Sequence, residues 1–319
     1  MSAKSFRSMQ NEDIPTTLNI IGQTPLIRLS TLSSSSITLC AKAEFMNPGG
    51  SIKDRAALAI LHGARREGRL LPGQAVVEMT SGNMGAGLAV VCNVLGHPFT
   101  AVMSEGNSRN RAQMLKDLGA EVVLVPQVDG DEGQVTGSDI EAAVDRAQTI
   151  ADERDAYYVD QFANPGSLRA HEEGTGPEIW SALGDRLGAF VAAVGSGGTF
   201  VGTSRYLKKK RPDLICAAVE PDGTEVLAGK EIRKVRHVIQ GTGYGKIPPH
   251  WEPELADVYL SVTDEEAMEY RRRLAKDEGL YVGYSAAANV CAAIKLINGD
   301  YLEGEVVVAT VLCDTGLKY

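Results

Sequence analysis

The feature that most restricts this chain is a repeating order of segments. A short, nearly unbroken apolar run leads into a loop of glycine, serine or asparagine, and then into a stretch with helical spacing. Ile37 to Phe45 leads through Asn47-Pro48-Gly49-Gly50 into a helical pattern from Asp54 to Glu67. Ala75 to Thr80 enters Ser81-Gly82-Asn83 and an Ala/Gly/Leu/Val helix, Phe99 to Ser104 precedes RNRAQMLKDLG, and EVVLVP follows. After an acidic, glycine-rich stretch from Asp129 to Asp139 come a helix, the strand AYYVDQF and the helix HEEGTGPEIWSALG. The strand AFVAAV then enters Gly195-Ser196-Gly197-Gly198-Thr199, and a further helix begins near Phe200. Strands that are apolar throughout are buried on both faces, as parallel strands are when crossover helices cover the sheet. The expected class is α/β. One series from Ser51 to Asp160 and a second centred on Ala189 to Val308 predict two lobes, each a mostly parallel twisted sheet flanked by helices, with a cleft between. The division expected is a smaller lobe over 46–160 and a larger one over 1–45 and 161–319. A chain of 319 residues is long enough for both.

Charge narrows the partner. The net charge is −9 and the longest basic run is Lys208-Lys209-Lys210-Arg211, which argues against a nucleic-acid backbone or an anionic membrane. No stretch approaches the ~20 apolar residues that span a bilayer, and residues 1–15 carry no apolar leader core. A small-molecule partner and a cytoplasmic location are expected. Cys40, Cys92, Cys216, Cys291 and Cys313 show no C-x-x-C pairing, and His62, His97, His171, His237 and His250 form no ligand-like cluster, so no metal site is expected.

Four loops can carry chemistry. Gly195 to Thr199, between a strand and a helix, lets successive amides converge at a positive helix end and suits a phosphate, or else is a tight turn. It is neither the dinucleotide fingerprint nor the P-loop, because Phe200 and Thr203 stand where those require glycine and lysine. Ser51 is expected as a helix N-cap, which places Lys53 in the first turn. There the helix dipole lowers an amine's pKa and suits imine formation, the alternative being a solvated charge. Thr80-Ser81-Gly82-Asn83-Met84-Gly85 offers a hydroxyl, an amide and free backbone donors at another helix start, suited to a carboxylate or simply to capping. Ser285 reads either as a cap or as a partner for a ligand's ring nitrogen.

The order of these loops resembles the cysteine synthase and cystathionine β-synthase family of pyridoxal-phosphate enzymes, fold type II, over nearly the whole chain. The markers are Gly22-Gln23-Thr24-Pro25-Leu26, Asn47 to Lys53, Thr80 to Asn83, Gln161-Phe162, Gly174 to Trp180, Gly195 to Thr199 and Gly241-Thr242-Gly243-Tyr244. The resemblance implies that the cofactor, pyridoxal 5'-phosphate, lies in the interlobe cleft. Lys53 would bind it as a Schiff base, Gly195, Ser196, Gly197, Gly198 and Thr199 would take its phosphate, Asn83 would contact the ring hydroxyl and Ser285 would face the ring nitrogen. Thr80, Ser81, Gly82, Asn83, Met84, Gln161, Gly241 and Tyr244 are the implied substrate contacts. The reaction implied is β-replacement on an activated serine through an aminoacrylate, O-acetylserine and sulfide giving cysteine, with a homodimer as the working form. The alternative keeps the cofactor but uses serine, cysteine or O-phosphoserine, with another thiol, an amine or water as acceptor. A non-catalytic sensor or partner protein is a remote third.

Two departures bear on substrate choice. Met84 stands where many sulfhydrylases have threonine, and Tyr244 is similar to the cystathionine β-synthase form of its loop. The sequence closes on Asp314-Thr-Gly-Leu-Lys-Tyr319, where relatives are expected to run on.

Overall fold

Strands apolar on both sides need two covering layers, and two separate sheets here receive them. The computed structural model describes residues 16–33, 37–80, 82–129, 135–234 and 236–319. The first part of the chain forms β1 (Leu26–Arg28), β2 (Ile37–Ala43), α1 (Lys53–Arg66), β3 (Val76–Met79), α2 (Asn83–Leu95), β4 (Phe99–Ser104), α3 (Arg109–Asp117), β5 (Glu121–Val125), α4 (Gly137–Glu153) and β6 (Tyr157–Tyr158). The second part forms α5 (Gly166–Ala170), α6 (Gly176–Leu183), β7 (Leu187–Ala193), α7 (Gly198–Lys210), β8 (Ile215–Pro221), β9 (Val258–Val262), α8 (Asp264–Asp277), α9 (Tyr284–Asn298) and β10 (Val306–Leu312).

The strands sort into a six-stranded sheet, β1-β2-β10-β7-β8-β9, and a four-stranded one, β5-β4-β3-β6. Every pairing is parallel except β1 against β2, so the class is α/β, as the apolar runs require. The six-stranded sheet carries an apolar layer on each face. One holds Ala286 to Cys291 of α9 with Leu274 of α8, and the other Phe200 and Leu207 of α7 with Ile179 of α6. The four-stranded sheet is covered by α1 and α2 through Ile60, Leu61 and Leu88, and on its other face by α4 through Ala143, Ala147 and Ile150.

Two elements differ from expectation. The strand expected over AYYVDQF is only Tyr157–Tyr158, because Asp160 turns the chain at a φ of 50°, in the left-handed region. The single helix expected over HEEGTGPEIWSALG is a π-helical turn, His171–Thr175, followed by α6. A Cβ on Gly176 would lie 2.8 Å from Tyr206 Cβ, so this junction is pressed directly against α7.

The segments that mark the family resemblance converge on Arg55, two residues after Lys53. Its Nε and Nη2 donate to the two oxygens of Glu44 at 2.7 and 2.9 Å, and Nη1 and Nη2 donate to those of Glu178 at 2.7 Å each. Lys42 adds a second cation, 2.6 Å from Glu178 Oε2. Thr24 Oγ1 donates to Glu44 Oε1 at 2.6 Å, Asn47 Nδ2 donates to Glu44 Oε2 at 2.9 Å, and the Gly22 amide donates to Asn47 Oδ1 at 2.8 Å. Two buried cations and two carboxylates balance, with each carboxylate gripped by a two-pronged guanidinium. Arg55→Met leaves Glu44 buried without its main counter-charge. It is expected to lower unfolding free energy by about 3–5 kcal/mol, measured by denaturant unfolding; a loss under about 1 kcal/mol, the scale of an exposed pair, would show that the cluster does not hold these segments.

Candidate active site

Lys53 is the first residue of α1. Ser51 does not occupy the N-cap position, which falls to Ile52, yet its Oγ accepts from the Lys53 amide at 3.2 Å and so still closes the helix start. The Lys53 amine points across to the glycine loop, with Nζ 3.5 Å from Ser196 Oγ. Burial lowers its pKa from the ordinary lysine value, while Cys313 and Glu78 pull it back up.

The glycine loop is held by backbone. A Cβ on Gly195 would overlap the carbonyl oxygen of Gly241, and one on Gly198 would come within 2.9 Å of the carbonyl of Ser167. Gly197, at a φ of 89°, is the N-cap of α7, so no side chain caps the first amides of that helix. Ser196 is buried, and Thr199 Oγ1 lies 3.3 Å from His171 Nε2. His171, whose Nδ1 meets Thr175 Oγ1 at 3.0 Å, is held far below the usual histidine pKa by burial and by the charges of Arg55 and Lys53. It is therefore a neutral ring behind the loop. The site thus presents hydroxyls, unpaired amides at a positive helix end and a primary amine, a set of donors suited to an anion.

The asparagine loop meets this centre from the four-stranded sheet. Thr80 is buried and its Oγ1 accepts from the Gly85 amide at 2.9 Å. Ser81 lies outside the described residues. A Cβ on Gly82, the N-cap of α2, would meet nothing within 4 Å, so the loop is open there. Met84 lies in the apolar layer with Ala57, Leu61 and Leu88, where its thioether fills core volume. Asn83 is held by a distant segment: Nδ2 donates to Asp314 Oδ2 at 2.7 Å and Oδ1 accepts from Lys318 Nζ at 2.8 Å. Gln161 Nε2 donates to Glu78 Oε1 at 3.0 Å and to the Met79 carbonyl at 3.3 Å. The next residue, Phe162, packs edge-to-face on Tyr244 with ring centroids 5.6 Å apart, which brings the 241–245 loop to the same rim.

Ser285 is the second residue of α9; the N-cap is Gly283, which rules out the capping role. Buried, Ser285 hydrogen-bonds the Cys313 thiol, whose pKa burial pushes up to about 12. Reading the sequence missed Cys313, Glu78, Asp314, Lys318 and His171. Only Glu78 left a signal there, as a lone carboxylate inside the apolar run AVVEMT.

Residues 17–314 match the family described as pyridoxal-phosphate dependent enzyme. Cysteine synthase of Staphylococcus aureus is 38% identical over 313 residues, covering 98% of this chain and 97% of that protein. Among solved structures, O-ureido-L-serine synthase has a TM-score of 0.87 at 33% identity, covering 96% of this chain and 93% of that one. O-acetylserine dependent cystathionine beta-synthase from Helicobacter pylori has a TM-score of 0.85 at 34% identity, covering 96% and 97%.

Glu78 offers a test that requires no ligand. Burial raises its carboxyl from 4.5 to about 8, against the lowering effect of its bonds from Gln161, and its Oε2 has no partner among the described residues. Between those two values the folded protein holds a proton that the unfolded chain has lost, so this group's contribution to stability is present at low pH and is lost as pH rises through 8. Glu78→Gln keeps an acceptor for Gln161 and removes the ionisation. It is expected to melt above wild type at about pH 9 and close to it at about pH 5; an equal gap at both would show that Glu78 is not the proton holder.

Proposed function

This chain belongs to the pyridoxal-phosphate dependent enzymes, and on that premise we propose that it replaces the β-substituent of an activated serine, converting O-acetylserine and sulfide to cysteine. The observation that carries the reading is Lys53 Nζ standing 3.5 Å from Ser196 Oγ, an amine whose pKa burial lowers, facing the loop that opens the uncapped α7. The cofactor's groups match the donors present: an aldehyde for the amine, a phosphate for Ser196, Thr199 and the amides of Gly197 and Gly198, and ring heteroatoms for Asn83 and Ser285. When bound, pyridoxal phosphate supplies an electron sink conjugated to the substrate's Cα.

The chain's residues then divide the work. Lys53 would hold the aldehyde, and its Nζ would move a proton to and from the substrate's Cα, a role its lowered pKa favours. Gly195 to Thr199 anchor the phosphate end. Thr80, Ser81, Gly82, Asn83 and Gln161 grip the substrate carboxylate from the start of α2. Ser285 would face the ring nitrogen with a neutral hydroxyl, which offers no negative charge to hold a proton there. Gly241 and Tyr244 border the side where the nucleophile enters. The unit over 46–160 closes on the substrate and excludes water, and the working form is a cytoplasmic homodimer. The family resemblance supports these last statements.

A second reading keeps the first half of the reaction and changes the acceptor. It is supported by the likeness to O-ureido-L-serine synthase and by Met84, which supplies no hydroxyl at its position in the asparagine loop. Product analysis separates the two: O-acetylserine with sulfide is expected to yield cysteine, whereas pyruvate or another β-substituted alanine as sole product selects the second reading. The loaded protein is expected to show a visible band that borohydride removes. Lys53→Ala is expected to lose that band and at least about 10²–10⁴-fold in rate; a variant that retains both would remove Lys53 from the reaction.

A further inference from the structure

An asparagine amide has nearly the same shape either way round, so its orientation is decided by its partners. At Asn83 those partners carry opposite charge. The Lys318 ammonium has donors only and must face Oδ1, while the Asp314 carboxylate accepts and faces Nδ2. Both are themselves held. Lys318 Nζ also donates to the Gly49 carbonyl at 2.6 Å, and the Tyr319 hydroxyl donates to Asp314 Oδ2 at 2.6 Å. Asp314 is 0% exposed, and its Oδ1, with no hydrogen-bond partner among the described residues, lies against Gly283 at the N-terminus of α9, where a Cβ would overlap it. That helix end favours a negative charge.

The segment is also tied to the lysine loop. The Ile52 amide donates to the Cys313 carbonyl at 2.8 Å, Ser51 and Asp314 form an antiparallel bridge, and the Thr315 amide donates to the Gly50 carbonyl at 3.3 Å. One strip of chain thus supports both the residue preceding Lys53 and the side chain of Asn83. Of the two Nδ2 hydrogens of Asn83, Asp314 takes one.

Building on the reading of Asn83 as the partner of the cofactor's ring oxygen, we infer that Asp314 and Lys318 are positioning residues that lock the Asn83 amide in one orientation and reserve its second N–H for that oxygen. Without Lys318 the donor that holds Oδ1 is gone and Asp314 alone sets the amide's orientation, so the second N–H is less firmly aimed at that oxygen. The two residues act through Asn83 and touch neither cofactor nor substrate.

The test titrates the full chain, stripped of cofactor, with pyridoxal phosphate and reads the dissociation constant and the wavelength of the visible band. Lys318→Met is expected to weaken binding about tenfold, near 1.4 kcal/mol and the scale of one hydrogen bond, and to shift the band. Lys318→Arg, still donor-only, is expected to restore both. In an Asn83→Ala background Lys318→Met is expected to add nothing, since its effect passes through the missing amide. Additive losses in the double variant, or a Lys318→Met protein indistinguishable from wild type, would overturn the inference. If Lys318→Met does not fold, Asp314→Asn replaces it, with the same dependence on Asn83 expected and the same additive result overturning it. A wild-type band that borohydride removes, together with additive losses, rejects only the positioning role. A wild-type chain that forms no such band rejects the underlying reading as well.

Discussion

Arg55 between Glu44 and Glu178 is the constraint from which the rest of this molecule is built. Glu44 could not remain buried without the guanidinium, and the guanidinium could not remain buried without Glu44 and the half-buried Glu178. Because Glu44 follows β2, Glu178 lies on α6 and Arg55 lies on α1, the cluster ties the six-stranded sheet to the helix whose first residue is Lys53. An amine meant to reach a loop 143 residues further along the chain needs its own helix held firmly, and a bidentate ion cluster does this with direction as well as strength.

Helix starts account for most of the remaining geometry. Lys53, Asn83, Gly198 and Ser285 all lie in the first turn of a helix that follows a strand or extended segment. Parallel α/β architecture brings such starts together at the carboxyl edges of its strands, where unpaired amides concentrate positive potential. The loops need little side-chain chemistry of their own to receive an anionic ligand.

How much of this is legible in the sequence depends on the range of the interaction. The α/β class follows from apolar runs a few residues long, and the glycine loop and Lys53 follow from local spacing at strand–helix junctions. The family resemblance singles out Gly22 to Leu26 and Gly174 to Trp180, but their role at the Arg55 cluster depends on contacts across more than a hundred residues, as in Arg55 to Glu178. The same holds for Asp314 and Lys318 against Asn83, separated by 231 and 235 residues. Ser285 shows the limit of local reading: its position suits a cap, yet Gly283 takes that place because Asp314 leaves no room there for a side chain. The π-helical turn escapes for a like reason, since it abuts α7 where Gly176 meets Tyr206, whereas β6 is cut short by the left-handed turn at Asp160.

The contact of Gly195 with Gly241 involves main chain alone. Substitution at Gly195 can only add atoms where there is no room, so evolution or a designer cannot adjust this joint by exchanging side chains, and must lengthen or shorten one of the loops instead. The glycine turn 195–199 and the rim that includes Tyr244 are therefore joined through main chain. Diversifying 242–248 would reshape that rim while its backbone joint with the turn stays in register.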